Sequence, residues 1–234
     1  AELFQFSAQR GYINLFYSRT INDPSIAAKY TGKIGQTSYG IISARDESSP
    51  VLLPFEENST VVTMGKSTSN IIRAKKMIGG NGGSIGAILT NRIFDNAGDM
   101  TTAGLDFHLH PGSNIHITLH GTASIHNESD NQEYVYDPSS TDYPSTFDNG
   151  RYTKTFDGEK ITGNALGFAI NYRDRTDDYG VVLRLRSPGF RTSNGFEKNN
   201  STKWLKAGRG KTIYYDLSLI NISEPTIRIT ISYS

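Results

Sequence analysis

The chain has 234 residues, with 24 Lys and Arg against 23 Asp and Glu, 13 tyrosines, 11 phenylalanines, one tryptophan and no cysteine. Disulfide frameworks and thiolate chemistry are thereby excluded, and a length of this order suits one large domain that buries a core without covalent staples. Near-neutral charge gives no electrostatic case for nucleic acid, and no apolar run approaches the length of a membrane helix, so the expectation is a folded, soluble chain with no membrane span.

Ala1 is the kind of small residue a signal peptidase leaves behind, which makes processing on an export route the expectation. Tyr12–Tyr17 is a weak strand candidate. Asp23-Pro24 supplies a cap and first turn for a short helix over Asp23–Tyr30, and Asn70–Ile78 reads as a second one. Ser38–Ser43, Thr60–Met64, Ile85–Thr90 and Ile115–Ile125 show strand character, with Gly79-Gly80-Asn81-Gly82-Gly83 a flexible turn between two of these segments. A polar, turn-rich stretch follows, and Leu166–Tyr172 resumes the strand pattern. Val181, Leu183 and Leu185 then alternate with Arg184 and Arg186; Ile213, Tyr215, Leu217 and Leu219 alternate with polar residues, as do Ile227, Ile229, Ile231 and Tyr233. Such alternation predicts half-buried strands with one wet face. The fold expected is all-β, an immunoglobulin-like β-sandwich with insertions and one or two short helices, forming a single elaborated domain over 1–234 with 127–165 as an insertion or binding-loop region.

Acidic residues dominate from Asn127 to Val181, and basic ones from Val182 to Lys211, where Glu197 is the lone acid. The acidic stretch is threaded with Tyr134, Tyr136, Tyr143, Phe147, Tyr152 and Phe156. Polar loops normally shed aromatics, so these rings are candidates either for a satellite core or for stacking on sugar faces. The ligand-binding set is Tyr134, Tyr136, Tyr143, Asp148, Arg151, Tyr152 and Trp204. Asp174, Asp177 and Asp178 lack the spacing and central glycine of a calcium loop and read as a solvated turn.

All five histidines fall between His108 and His126. On a hairpin, His108 and His110 would share a face with His116 and His120 and could hold a transition metal. The His108-Leu-His110-Pro opening resembles the first motif of the cupin family, whose metal-ligating Glu and last His have no counterpart here. A metal-dependent, cupin-like enzyme is the alternative this implies. The dinucleotide Gly-x-Gly-x-x-Gly and the phosphate-loop spacing are absent, so the expectation is a binding protein without enzymatic function or cofactor.

The C-terminal run Pro225-Thr-Ile-Arg-Ile-Thr-Ile-Ser-Tyr-Ser234 places tyrosine in the penultimate position of an amphipathic strand. It resembles the ends of chaperone–usher fimbrial subunits, K88/F41-like ones in particular. That resemblance implies export through the periplasm to the bacterial surface, with a periplasmic chaperone, an usher and neighbouring subunits as partners. It further implies assembly by strand complementation through Ile227, Ile229, Ile231 and Tyr233, and adhesion to a host glycan or glycoprotein. Phe4, Phe6 and Ala8 give too short an alternation for a donor strand.

Overall fold

The computed structural model describes residues 2–6, 13–56, 59–95, 98–135, 146–214, 222–223 and 227–233. Two 3-10 turns, Glu2–Phe4 and Ser18–Thr20, are the only helical elements among them. Pro24–Ile34 (β1) and Thr37–Asp46 (β2) form a hairpin, followed by the small hairpin of Pro50–Pro54 (β3) and Ser59–Thr63 (β4). Four long strands follow, Ser67–Ile78 (β5), Gly83–Phe94 (β6), Gly98–Leu109 (β7) and Ile115–Glu128 (β8). Asp130–Val135 (β9), Thr146–Phe147 (β10), Tyr152–Thr153 (β11) and Thr155–Asp157 (β12) occupy the expected insertion. Lys160–Arg173 (β13), Asp177–Arg186 (β14), Thr202–Ile213 (β15), Ile222–Ser223 (β16) and Ile227–Tyr233 (β17) complete the order.

The chain is therefore all-β, and its main feature is one 11-stranded antiparallel sheet in the order β1-β2-β5-β6-β7-β8-β13-β14-β15, with β16 and β17 both paired to β15. The other described sheets, β3–β4, β9–β12 and β10–β11, have two strands each. Long strands joined in sequence order are what alternating segments separated by turn residues produce. At one end of the sheet the connections are short: Gly35-Gln36, residues 79–82, 110–114 and 174–176. Gly35 takes φ 55°, the positive φ that a two-residue hairpin turn asks of its first residue. At the opposite end lie the β3–β4 hairpin, the β9–β12 insertion and the connection over 187–201.

Both expected helices are strands. Asp23–Tyr30 enters β1, and Asn70–Ile78 lies in β5, where Ile71 is buried while Ile72 is 48 % exposed on the opposite face. The cause is the polarity of the sheet: each face mixes polar and apolar residues in ways that mimic helical spacing. Tyr12–Tyr17 is not a strand over its described part, 13–17, which crosses the sheet as irregular chain. Of the strand expected from Ile213, the described residues include Ile213, which ends β15, and Tyr214; β15 runs upstream of it and includes Trp204. Residues 215–219 fall outside the described residues.

The two faces of the sheet are reversed relative to an ordinary globular protein. Buried on the inner face are Asp46, Ser67, Ser69, Arg73, Thr90, Arg92, Thr102, Asp106, Thr118, His120, Ser124, His126 and Glu128. Pointing out are Ile26, Tyr30, Ile41, Ile72, Leu89, Leu105, Leu119, Leu166, Val181 and Leu205, all exposed. Soluble antiparallel sheets bury the apolar face and wet the polar one.

The inner face is covered by the N-terminal residues 2–6 and 13–23 and by the connection 187–200. A small core of Phe4, Phe6, Ile13, Leu15 and Phe190 meets Ile71, Ile88 and Ala165 of the sheet, and glycines admit the large rings. A Cβ at Gly104 would collide with the Phe6 ring and Leu15; one at Gly163 would overlap the backbone of Phe190. Gly163→Ala is accordingly expected to cost about 1–3 kcal/mol by overpacking. Chemical denaturation monitored by circular dichroism checks this, with an unchanged midpoint as the contrary result. A second core, Val51, Leu53, Phe55, Met64, Phe94, Met100, Phe147, Tyr152, Phe156 and Ile161, caps the end with the long connections.

Candidate functional site

The polar inner face is organised around arginines set opposite carboxylates on strands that the sequence alone does not bring together. Asp46, at the end of β2, accepts Arg92 Nη2 of β6 at 2.9 Å and the backbone N–H groups of Asn22 and Asp23 at 3.0 and 2.5 Å. Arg92 also donates to Ser67 Oγ (2.8 Å) and to the carbonyls of Thr20 (3.0 Å) and Ser193 (3.3 Å). One guanidinium thus ties the wall to both covering segments, using the rigid fork of donors that only arginine offers.

Arg73 of β5 meets Asp106 of β7 through two hydrogen bonds, 2.5 and 2.9 Å, and gives Nε to the Leu3 carbonyl at 3.1 Å. The Phe6 ring lies 5.8 Å from its guanidinium and 5.9 Å from the His120 ring. In the third cluster Arg191, from the 187–200 connection, reaches Glu128 at 3.0 Å and His126 Nδ1 at 3.1 Å. Its own backbone N–H donates to Ser124 Oγ at 3.2 Å, and its carbonyl accepts Thr102 Oγ1 at 3.3 Å. Fourth, Glu197 accepts Arg186 (2.8 Å) and the Asn14 N–H (2.6 Å). Burial pushes the Glu197 carboxyl up, against the pull of Arg186 and that N–H.

The histidines do not assemble as one ligand set. His110 and His116 stack edge to face at 4.6 Å beside the 110–114 turn, with His110 Nδ1 2.8 Å from the Asn81 carbonyl. His108 and His120 lie deeper on the inner face, His108 Nε2 3.6 Å from Asp106 and His120 behind Phe6. Among the described residues the cluster with metal-ligand spacing is Glu128, Asp157 and Glu159. Its carboxylates already serve the protein: Glu128 pairs with Arg191, Glu159 accepts the Thr153 N–H at 2.9 Å, and Asp157 accepts the Thr153 hydroxyl at 2.8 Å. A Gly-x-Ser-x-Gly spacing does occur at Gly82-Gly83-Ser84-Ile85-Gly86. Ser84 sits there as a buried residue of an antiparallel strand, without the strand-to-helix bend that exposes a nucleophile.

The aromatic candidates divide. Tyr152 is 5 % exposed and packs on Phe147 at 5.3 Å, with Phe156 in the same core, as a satellite core requires. Asp148 and Arg151 approach to 4.0 Å on the β10–β11 turn, beside a cleft lined by Phe55, Phe147, Asn149 and Lys154. Trp204 is on β15, under the guanidinium of Arg184 at 4.6 Å, so the structure does not bring it to that cleft. Tyr134 lies in β9, its side chain outside the described residues, as are Tyr136 and Tyr143 altogether. For Ile227, Ile229, Ile231 and Tyr233 the structure shows the β17 backbone in register with β15, Ile231 opposite Leu205.

Asp174 is a turn residue rather than a ligand. Its carboxylate accepts the N–H of Asp177 (2.7 Å), the Tyr172 hydroxyl (2.7 Å) and the N–H of Thr176 (2.8 Å), which together bring its pKa down to about 2. An unfolded aspartate titrates near 3.8. The contribution of this turn to stability is therefore complete above that value and is lost as the pH falls through about 2. A carboxyl-carbon NMR titration is expected to place the Asp174 midpoint near 2, and a midpoint near 3.8 would refute the cap.

The arrangement as a whole offers a wall of fixed charges and hydroxyls, filled by chain, with an apolar exterior. No helix among the described residues is long and apolar enough to cross a membrane. No protein-family model, no curated protein and no solved structure matches the chain.

Proposed function

We propose that this chain forms the wall of a membrane-embedded antiparallel β-barrel, with its apolar face against lipid and its polar face toward a plugged interior. The observation that carries the proposal is the reversed polarity of the sheet, clearest from β6 to β8, where apolar residues point out and buried polar and charged residues point in. Strands of 10–14 residues match what a bilayer needs, since about 9–11 tilted residues cross it. Outward tyrosines pair across strands near the short-turn end, Tyr30 with Tyr39 and Tyr172 with Tyr179, each at 6.0 Å, as an interfacial aromatic belt would. The turns after β1, β5, β7 and β13 are short and the connections after β2, β8 and β14 are long, an asymmetry such barrels share, with the short link over 95–97 and the long one over 214–226 as the exceptions. A wall of this kind departs from the expectation of no membrane span, which rests on apolar run length, a measure that registers helices and overlooks alternating strands.

Lipid cannot satisfy a bare strand edge, so the proposal carries a requirement: the outer edges of β1 and β17 are paired in the membrane. The test is reconstitution. The protein is expected to float with lipid vesicles, to resist carbonate extraction and to keep its β-sheet circular dichroism there. A monomer that stays in the aqueous fraction while folded would overturn it.

The second reading is an immunoglobulin-like, glycan-binding fimbrial subunit assembled by strand complementation at the bacterial surface. The observation favouring it is the outer edge of β1, which has no strand partner among the described residues and is open to an added strand. The two readings part in the same experiment, because a complemented subunit would be water-soluble once its chaperone or donor peptide is supplied.

A further inference from the structure

We infer that residues 2–6, 13–23 and 187–200 are one displaceable plug, and that its departure opens a hydrophilic path along the inner face for small water-soluble solutes. This rests on the membrane-wall reading above. The covering segments hold each other as a unit: the Tyr17 N–H donates to the Asn194 carbonyl at 2.7 Å, the Phe196 N–H to the Asn14 carbonyl at 3.1 Å, and the Asn14 N–H to Glu197 at 2.6 Å. None of them joins a ladder of the main sheet. They meet the wall at polar points, where Arg92, Arg73 and Glu128 hold Thr20, Leu3 and Arg191, with Phe6, Leu15 and Phe190 as the apolar contacts.

What lies beneath the plug is a surface suited to water. Thr102 and Ser124 spend their hydroxyls on the backbone of Arg191, contacts that water could replace one for one. A wholly apolar core would be ruined by such an exchange; here the wall around Ile71, Ile88 and Ala165 is polar and would be rehydrated. The plug does bury Phe4, Phe6, Ile13, Leu15 and Phe190 against the sheet, but it lies outside the main ladder. Segments held by side-chain contacts and replaceable hydrogen bonds rather than by a ladder open at free energies below that of global unfolding. The wall exposed in this way presents arginines, carboxylates and hydroxyls together, which favours polar solutes of either sign over apolar ones.

The cysteine-free sequence makes the test clean, because any introduced thiol is unique. Ser124→Cys places one beneath the plug and Leu105→Cys one on the outer face. Both are reconstituted in phosphatidylcholine vesicles and exposed to a small, membrane-impermeant methanethiosulfonate over a urea series, with global unfolding followed by circular dichroism. The expected result is that Leu105→Cys stays unlabelled while Ser124→Cys is labelled through an opening with much weaker urea dependence than unfolding. Adding Glu197→Gln, which weakens the hold on Asn14, should accelerate that labelling about tenfold. If Ser124→Cys reacts only as fast as the whole protein unfolds, the plug is a fixed part of the fold and the inference is overturned, with the membrane reading intact. If Leu105→Cys reacts at the rate of a free thiol in vesicles, the membrane reading itself fails. The urea dependence is read without a latch variant, so misfolding of the Glu197→Gln protein would not blunt the test.

Discussion

Replacing Asp46 with alanine is expected to cost about 3–5 kcal/mol of folding free energy, among the largest losses any single side chain of this protein can produce. The reason is not the strength of its ion pair but what its removal leaves behind. Asp46 and Arg92 are both fully buried, and Asp46 also receives the N–H groups of Asn22 and Asp23. Without the carboxylate, a guanidinium remains in the interior with its charge uncompensated, and two backbone donors lose their acceptor. The Arg92→Ala protein should be destabilised by a similar amount, for the mirror-image reason. The double variant should lose much less than the sum, because each single change already destroys the same pair. Denaturant unfolding of the four proteins in one lipid or detergent system measures this. Strict additivity would show that the two side chains are not coupled as the geometry says.

That cluster also shows where the sequence stops being informative. Asp46 and Arg92 are 46 residues apart, Arg191 and Glu128 are 63 apart, and no spacing rule links such pairs. They become neighbours only when β2, β5 and β6 pair in order and 187–200 folds back over β7 and β8. The strand period itself was legible. Val181, Leu183 and Leu185 against Arg184 and Arg186 do lie on opposite faces of β14, in register with β13 and β15. What alternation cannot say is which face is inside. Arg186 turns inward to Glu197 while Val181 is 37 % exposed, the reverse of the half-buried strand with a wet polar face that soluble proteins lead one to expect. The false helix at Asn70–Ile78 has a related cause, the mixing of residue types within each row. In β5 the inner row mixes Ser69, Ile71 and Arg73 and the outer row mixes Asn70, Ile72 and Ala74, so the window over Asn70–Ile78 carries no clean period of two. Rings in a polar loop signal either a satellite core or a contact surface. Phe147, Tyr152 and Phe156 resolve toward packing because they close over Phe55 and Ile161 at the end of the sheet.

Lysine in place of Leu89 should separate a lipid-facing wall from a water-facing one. Leu89 lies at the middle of β6, on the outer face between Ile72 and Ala103, and is 43 % exposed; Ile85, four residues nearer the short-turn end on the same face, is 37 % exposed. To water these two positions are nearly equivalent, and a lysine at either would change stability by no more than roughly 0.5 kcal/mol. To a bilayer they differ in depth. A lysine at the midplane of a barrel wall costs about 2–4 kcal/mol, whereas one near the interface costs about 0–1 kcal/mol because its long stem lets the ammonium snorkel to the headgroups. The expected result in phospholipid vesicles is therefore a large loss for Leu89→Lys and a small one for Ile85→Lys, and the gap should close when the same proteins are unfolded from a short-chain detergent micelle thin enough to wet both sites. Equal, small effects in vesicles would mean that the outer face never meets lipid, and the apolar rows of β6 to β8 would then have to be covered by protein.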